Sequence, residues 1–386
     1  MKNKKTNPKP KGRIIFFVFI SVFCLMIGFF SLYGFFVPDR EMSENENRVL
    51  ASAPVFTFSG LFDGSYMKDI ETYLADQFPF RDEAVYIKSF AERLWGKSSE
   101  NGVYIGKDGF LFDEPTAYSE EKMQSVAKSV SSFIGKNKSL NTVFALVPNS
   151  SYIYSEKLPD GLAFPDQKKQ IIDFYRSLSG RIAAVNTVAP LLDEKSSNDV
   201  FYKTDHHWTT RGAFSVFLEI ADMMNLEADR EKFDFYTVST HFEGTLKAKS
   251  VSQKSVDSVE ICVPEGSEGT YYAAFSGMAE KRASLFFKEK LHQKNNYEVF
   301  LGGNYARIDI TTTLPEGRKL IVIKDSYANC LIPMLTPYFT RIVVLDPRYM
   351  TESVQKILQE DDFTDMLFLY NANTFFADTS LVNVLV

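Results

Sequence analysis

The sequence predicts an α/β fold, with three layers (α/β/α) around a parallel sheet, joined to one N-terminal transmembrane helix. Residues 14–37 contain no charged side chain. Further along the chain, short and nearly continuous apolar runs alternate with helix-length segments whose apolar residues recur every three or four positions. Such alternation indicates parallel strands covered by helices on both faces. The predicted strands are 141–148, 181–187, 319–325, 341–346 and 365–371.

The uncharged run 14–37 is long enough to cross a bilayer as a helix, for which about 20 apolar residues suffice. Six basic residues precede it, so we expect the N-terminus on the cytoplasmic side and residues 38–386 outside. The alternative is a cleavable signal peptide, with an apolar core of about 7–15 residues and a small-residue cleavage site. This run is longer and is followed by VPDRE. We therefore expect an uncleaved, single-pass anchor in the cell membrane.

Changes in composition divide the chain into segments. Polar residues with scattered prolines follow the apolar run, and two stretches at helical spacing come next. The expected segments are a cytoplasmic basic tail (1–13), a transmembrane anchor (14–37), an extended lead-in with helices (38–100) and an α/β domain (101–386) with an insertion at about 228–300.

Three short elements are also predicted. Two apolar runs flank Lys-Asp-Gly in residues 103–112, which is typical of a β-hairpin. Within the insertion, residues 259–263 (VEICV) and 298–302 (EVFLG) are each expected to form a short strand.

Charge and cysteine content exclude several classes of protein. The chain has a net charge of −6, and the first 13 residues contribute +6, which leaves −12 for the rest. Such an acidic remainder argues against nucleic acid as a partner. Cys24, Cys262 and Cys330 form no disulfide framework and no zinc-binding pattern. We expect neither a metal nor an organic cofactor.

The first candidate for chemistry is Ser326, which follows the predicted strand 319–325. Ligands of open parallel sheets bind beyond the carboxyl ends of the strands. A serine between a strand and a helix exposes its hydroxyl as a nucleophile, and the helix N-terminal amides can stabilise an oxyanion. The alternative is that Ser326 only caps the helix.

The second candidate is the segment TDHHW, residues 204–208. A hydroxyl nucleophile needs a base, and the base needs an acceptor that fixes its tautomer. His207 can be that base and Asp205 its acceptor. One alternative is a polar loop before a helix capped by Thr209 or Thr210. The other is a metal site formed by Asp205, His206 and His207, although adjacent histidines usually point apart and no further ligand cluster is evident.

Further candidates surround these two. Asn371 ends the predicted strand 365–371 and could donate its amide to an oxyanion, with Asn373 as a near alternative. The alternative for Asn371 is a turn residue. Arg348 follows strand 341–346 and could bind a substrate hydroxyl or carboxylate, or form a surface ion pair. We expect Arg348, Trp208 and Tyr327 to contact the substrate.

Together these motifs resemble the DHHW proteins, which are similar to the SGNH-like alginate O-acetylation proteins. TDHHWTTRGA carries the Asp-x-His-Trp pattern. ENRVLASAPVF, DQFPFRDE, VYIGKDGFLF, LVPNSSYIYSEKLP and IKDSYA resemble that group in the same order, so the similarity covers about residues 45–375. The Asp–His element precedes the serine, which is the permuted order of the alginate group.

The resemblance implies a role for each matching residue. Ser326 would be the nucleophile, His207 the base and Asp205 the acid that orients it. Asn371 is the best match to the oxyanion asparagine. The usual oxyanion glycine has no counterpart, and the loop after strand 341–346 offers Pro347 and Arg348 instead. No role carries over to His206.

The same resemblance implies O-acetylation of an exported or cell-surface polysaccharide. A polytopic membrane acyltransferase would supply the acyl group, and Ser326 would pass it to a sugar hydroxyl. Two other functions stay open: a carbohydrate esterase with the same triad, and a non-catalytic polysaccharide-binding or assembly protein. Both enzyme hypotheses require Ser326 Oγ and a His207 ring nitrogen to lie within about 3–4 Å of each other.

Overall fold

A computed structural model describes residues 10–40, 42–43, 48–116, 119–179, 182–250 and 255–385. The chain divides into two compact units, residues 1–95 and residues 96–386. Residues 1–9 of the expected basic tail and residues 44–47 of the expected lead-in lie outside the described residues.

The first unit contains one long apolar helix, a small hairpin and three short helices. Residues Gly12–Gly34 within the long helix have a mean hydropathy of 2.7 and are long and apolar enough to cross a membrane. Phe78 and Phe80 pack their rings against this helix. The elements are α1 (Pro10–Phe36), β1 (Met42–Ser43), β2 (Arg48–Val49), α2 (Phe58–Asp63), α3 (Ser65–Asp76) and α4 (Arg81–Leu94).

The second unit contains the strands of the predicted α/β domain. Its strands are β3 (Ser99–Glu100), β4 (Val103–Ile105), β5 (Leu111–Asp113), β6 (Asn141–Val147), β7 (Ala183–Ala184), β8 (Phe233–Phe242), β9 (Asp257–Pro264), β10 (Tyr271–Phe275), β11 (Arg307–Thr312), β12 (Lys319–Lys324), β13 (Arg341–Leu345) and β14 (Asp365–Asn371).

Helices connect most of the predicted strands, but only 3-10 helices lie between β12 and β13. The α-helices are α5 (Glu120–Lys136), α6 (Ser150–Ile153), α7 (Gln167–Ser177), α8 (Val188–Glu194), α9 (Thr210–Met223), α10 (Thr245–Lys249), α11 (Val354–Leu358), α12 (Ala372–Ala377) and α13 (Ser380–Val384). Short 3-10 helices that matter for the site are Asn296–Val299, Ser326–Cys330 and Pro347–Tyr349.

The central sheet has seven strands in the order β10-β11-β13-β12-β14-β6-β7. Strands β13, β12, β14, β6 and β7 are parallel, with Ile323 of β12 opposite both Leu345 and Phe368. Their carboxyl ends therefore meet at one edge of the sheet. This edge carries the residues that follow β12, β13, β14 and β6.

Each face of the sheet is covered by a separate hydrophobic core, which confirms the three-layer α/β/α prediction. Alternate residues of a strand point to opposite faces. Val143 and Val322 pack with α9 on one face. Phe144 and Ile323 pack with α5 and α7 on the other.

The prediction of a wholly parallel sheet is wrong at one edge, because β11 runs antiparallel to both β10 and β13. The sequence of β11 is RIDITT, in which apolar and polar residues alternate. That pattern is typical of an antiparallel strand with one exposed face, and a search for continuous apolar runs misses it.

The short elements have mixed outcomes. The hairpin around Lys-Asp-Gly is confirmed by β4 and β5, and residues 259–263 lie in β9. The strand predicted at 181–187 is reduced to β7 among the described residues. The strand predicted at 298–302 is wrong: Asn296–Val299 is a 3-10 helix, and Leu301 and Gly302 follow with positive φ angles of 61° and 76°, which break an extended strand.

Candidate active site

Ser326 occupies the position at the sheet edge that the sequence predicted. It starts the 3-10 helix Ser326–Cys330 directly after β12. Within residues 320–336 it is the only residue that is not buried. Asp325 caps this helix by accepting a hydrogen bond from the Tyr327 main-chain N–H (3.0 Å), so Ser326 is not the capping residue. Its hydroxyl is therefore free to take part in chemistry.

His207 and Ser326 meet although about 120 positions separate them in the chain. His207 Nε2 lies 2.9 Å from Ser326 Oγ. On the other side of the ring, Nδ1 lies 2.5 Å from Asp205 Oδ1. Because a carboxylate accepts, Nδ1 carries the proton and Nε2 is left to accept a proton from the serine. The three side chains thus form a hydrogen-bonded chain that ends at a partly exposed alcohol.

Asp205 is held as an ionised carboxylate by four donors. Oδ1 accepts from the main-chain N–H and the ring of His207, and Oδ2 accepts from the main-chain N–H (2.7 Å) and hydroxyl (2.9 Å) of Thr245. Burial by itself would raise the pKa of Asp205, but the two neighbouring histidines and these hydrogen bonds outweigh it, and the pKa is lowered well below its ordinary value.

Two residues that the sequence analysis passed over make this arrangement fit. A Cβ on Gly244 would lie 2.2 Å from Asp205 Cβ, so only glycine lets the Gly244–Thr245 main chain approach the carboxylate. The second residue is Tyr297, in the segment predicted as an irregular insertion.

Tyr297 lies flat against His207. The two ring centroids are 3.8 Å apart with an interplanar angle of 11°. The Tyr297 hydroxyl donates to the carbonyl oxygen of Ser326 (3.0 Å). One side chain therefore fixes the base and the nucleophile relative to each other. No motif indicated it, because the contact depends on the fold of the insertion.

The prediction that Trp208 and Tyr327 contact the substrate is wrong. Trp208 is 0% exposed, and its indole N–H donates to the main-chain carbonyl of Tyr327 (2.8 Å). Tyr327 is buried as well, and its hydroxyl donates to the carbonyl of His206. Both aromatic rings lock the His207 loop onto the Ser326 turn from inside the core, so neither faces solvent.

Asn371 does not present its amide to Ser326. Its Nδ2 donates to the Val147 carbonyl (3.4 Å) and to Asn149 Oδ1 (3.2 Å), and its Oδ1 caps α12. Its main-chain N–H donates to Asp325. The structure thus gives Asn371 the structural role that was the alternative interpretation. Asn373 likewise bonds Gln167 and the main chain of Thr116 and Glu114.

Arg348 remains partly exposed near the site. Its side chain is 28% exposed, and its Nε and Nη2 atoms donate to the two carboxylate oxygens of Asp346 (2.9 and 2.7 Å). Asp346 also contacts the wholly buried Lys324 (3.2 Å). The charge of Arg348 reaches His207 and contributes to lowering its pKa. Arg348 is thus a fixed cation at this edge of the sheet.

Replacing Asp346 by asparagine tests how this cation is held. The change removes the negative charge that pairs with both Lys324 and Arg348, so the buried Lys324 ammonium loses its ion-pair partner. We expect D346N to lower the free energy of unfolding by about 3–5 kcal/mol, measured by urea denaturation. The matched control is D173N in the exposed pair with Lys169, for which a change within about 1 kcal/mol is expected. Equal losses in both variants would contradict this account.

Asp205, His206 and His207 also have donor atoms within 4.8 Å of one another, as a metal site would require. However, Asp205 Oδ1 and His207 Nδ1 are hydrogen-bonded to each other, and His206 Nδ1 is within hydrogen-bond distance of the Thr245 hydroxyl (2.9 Å). These three candidate ligand atoms are thus already used in hydrogen bonds. The donor set fits a proton relay better than a metal site.

The ionisation of His207 predicts the pH profile of any reaction at Ser326. Burial of the imidazole lowers the pKa of His207 from its ordinary value of about 6.5, and His206 and Arg348 act in the same direction, against Asp205. Only the neutral ring can accept a proton, and it predominates above the pKa. We therefore expect kcat/KM for a chemical acyl donor to rise through an inflection below about pH 6.5 and to be flat above it. An inflection at pH 7 or above would contradict this.

Comparison with known proteins adds to this geometry. Residues 103–288 match the family model of the SGNH hydrolase-like domain of acetyltransferase AlgX, a stretch that includes Asp205 and His207 and ends before Ser326. A probable alginate O-acetylase AlgJ from Pseudomonas syringae pv. tomato is 27% identical over 202 residues, which are 47% of this chain and 49% of that protein. The chain thus spans about half the length of this curated relative.

Solved structures share the fold. A DHHW family protein from Eubacterium siraeum superposes with a TM-score of 0.63 at 21% identity, covering 74% of this chain and 96% of that one. Bacillus cereus PatB1 with a sulfonyl adduct gives a TM-score of 0.61 at 19% identity, covering 73% and 97%. This chain therefore shares an α/β fold with these structures, and its resemblance to SGNH hydrolase-like domains and to the DHHW and alginate O-acetylation proteins is confirmed.

Proposed function

We propose that this chain is a membrane-anchored, extracytoplasmic O-acyltransferase that moves an acetyl group to a cell-surface or exported polysaccharide through Ser326, His207 and Asp205. One observation carries the proposal: the His207 ring lies within hydrogen-bond distance of both the Ser326 hydroxyl (2.9 Å) and the Asp205 carboxylate (2.5 Å). This is the arrangement that activates a serine for acyl transfer.

In the first step, Ser326 Oγ attacks the carbonyl carbon of an acyl ester, and His207 Nε2 takes the hydroxyl proton. The tetrahedral intermediate collapses, the donor's C–O bond breaks, and the leaving alcohol takes the proton back from His207. The products are acetyl-Ser326 and the free alcohol. Asp205 stabilises the transient imidazolium and holds its tautomer.

In the second step, a sugar hydroxyl attacks acetyl-Ser326, and His207 takes its proton. Collapse releases the O-acetylated sugar, and Ser326 Oγ regains its proton. Negative charge develops on the carbonyl oxygen in both steps. We assign its stabilisation, and contact with the sugar, to the cation Arg348, which Asp346 holds at the site.

The acetyl group and the polysaccharide come from the relatives. The curated relatives that this chain matches over about half of their length are probable alginate O-acetylases. The sugar and the acyl donor of this chain are proposals on that basis. Helix α1 would hold the domain in the membrane, and the basic residues before it favour a cytoplasmic N-terminus. A polytopic membrane acyltransferase would then deliver acyl groups to Ser326 from the same membrane.

The test uses the full chain in lipid nanodiscs with 4-nitrophenyl acetate as donor and neutral, amino-sugar and uronic-acid oligosaccharides as acceptors. We expect mass spectrometry to detect an acetyl group on Ser326 and then on a sugar. Acetate release without any acetylated sugar would instead identify an esterase. Absence of both an acetylated serine and turnover would favour a non-catalytic polysaccharide-binding protein.

A further inference from the structure

Helices α2, α3 and α4 have almost no apolar core of their own. Among the described residues of the first unit, the buried ones are Leu50, Gly60, Asp76 and Ser89. Leu50 is the only one with a sizeable apolar side chain. Helices usually gain their stability by packing an apolar face against another surface. The described part of this unit provides no such surface for them.

The apolar face itself is clear on α4. Ile87, Phe90 and Leu94 are spaced three and four residues apart and are 67%, 52% and 72% exposed. Trp95 follows at the end of the helix and is 87% exposed. The neighbouring helices α2 and α3 add five more exposed apolar side chains: Phe58, Leu61, Phe62, Met67 and Leu74. An exposed set of this size marks an interaction surface.

The loop between α3 and α4 contacts the C-terminal end of α1. Phe78 packs against Phe30 of α1 with ring centroids 5.2 Å apart, and Phe80 stacks on Tyr33 at 5.2 Å. These partners lie in the last two turns of the apolar helix Pro10–Phe36. Tyrosine and tryptophan rings concentrate at the level of the lipid head groups when a helix crosses a membrane, and Tyr33 is such a ring. The loop between α3 and α4 would then lie at the membrane surface.

We infer that the exposed apolar side chains of α2, α3 and α4 rest in the outer leaflet of the bilayer that α1 crosses. Phe80, which stacks on α1, directly precedes α4, and the exposed side chains of Ile87, Phe90 and Leu94 lie on the side of α4 away from Lys88 and Glu92. An apolar stripe opposite charged residues is typical of a helix that lies in the plane of the interface. The inference depends on the proposed anchor but not on catalysis.

This placement has a consequence for the proposed function. A helix of 14 residues is about 21 Å long. Fixed along its length to the membrane surface, α4 would restrict how far the chain after Trp95 can move away from the bilayer. An acyl donor in the same membrane would then meet the α/β domain at a high effective concentration.

The two tryptophans provide the test. Trp95 is exposed and Trp208 is 0% exposed, so an added quencher acts on Trp95. The full chain is inserted into phosphatidylcholine vesicles that are brominated near the head of the acyl chains. The fluorescence of Trp95 is obtained by subtracting the tryptophan emission of the Trp95→Phe variant from that of the unchanged chain. We expect brominated lipid to lower that emission at least about two-fold relative to unbrominated lipid.

The substitutions I87D and F90D, made together, should abolish the lipid quenching, whereas K88D on another side of α4 should retain it. Quenching of Trp95 by aqueous acrylamide but not by brominated lipid would overturn the inference. Quenching by neither would also overturn it, because a protein surface would then cover Trp95. Vesicle flotation separates these results from failure of α1 to anchor the chain, and no step of the assay requires enzymatic activity.

Discussion

Replacing Ser326 by alanine is expected to lower kcat for acyl transfer by about 10⁴- to 10⁶-fold and to abolish the acetylated serine. The Ser326 hydroxyl lies 2.9 Å from His207 Nε2, and without this nucleophile no acyl-enzyme can form. The residual rate would come from binding alone. The measurement combines kcat with 4-nitrophenyl acetate and intact-protein mass spectrometry.

The control for this change is Ser132→Ala, on the exposed side of α5 and remote from the sheet edge. It should leave kcat unchanged. Both variants should keep the melting temperature within a few degrees, because Ser326→Ala keeps the main-chain carbonyl that Tyr297 contacts and removes only a partly exposed hydroxyl. A Ser326→Ala chain that retains turnover or restores acetylated polysaccharide in a deletion strain would refute the role of this serine.

The positions of Ser326, His207 and Asp205 could be inferred from the sequence because they follow from general rules. A polar residue that follows a buried parallel strand must lie at the carboxyl edge of the sheet. An acid and a histidine two residues apart in one loop can share a hydrogen bond. The structure places all three residues in one hydrogen-bonded chain, and it places Ser326 at the one partly exposed position of its segment.

The wrong assignments concern the direction in which a side chain points. Trp208 and Tyr327 adjoin site residues in sequence, but each points into the core, where the two bond to neighbouring main-chain carbonyls. Asn371 ends the expected strand, yet its amide is used by Val147 and Asn149. Adjacency in sequence does not determine such orientation, which depends on packing across the sheet.

The missed residues depend on long-range folding. Tyr297 reaches His207 from the insertion, and Gly244 matters only because its main chain passes against Asp205. Neither residue type indicates a site by itself. Both contacts are set by how residues 228–300 return to the sheet, which periodicity in a single sequence cannot show.

His207 as the general base can be tested by comparing its alanine variant with that of the adjacent His206. His207→Ala removes the group that accepts the Ser326 proton, so we expect kcat to fall by about 10³- to 10⁵-fold. His206→Ala should change kcat by less than about 10-fold, because its Nδ1 pairs with the Thr245 hydroxyl and only His207 reaches the serine. Both are measured at neutral pH with the same acyl donor.

The ring centroids of His206 and His207 lie only 3.9 Å apart, so the two substitutions change nearly the same place in the loop. A general loss of loop structure would affect both variants alike and would also lower the melting temperature. A proton relay, by contrast, requires a large loss in His207→Ala and a small one in His206→Ala. Equal losses would mean that the loop acts as a structural unit or binds a cation through Asp205 and both histidines. Since the Asp205 carboxylate contacts the His207 ring at 2.5 Å and the His206 ring only at 3.6 Å, the unequal result is the one that the geometry predicts.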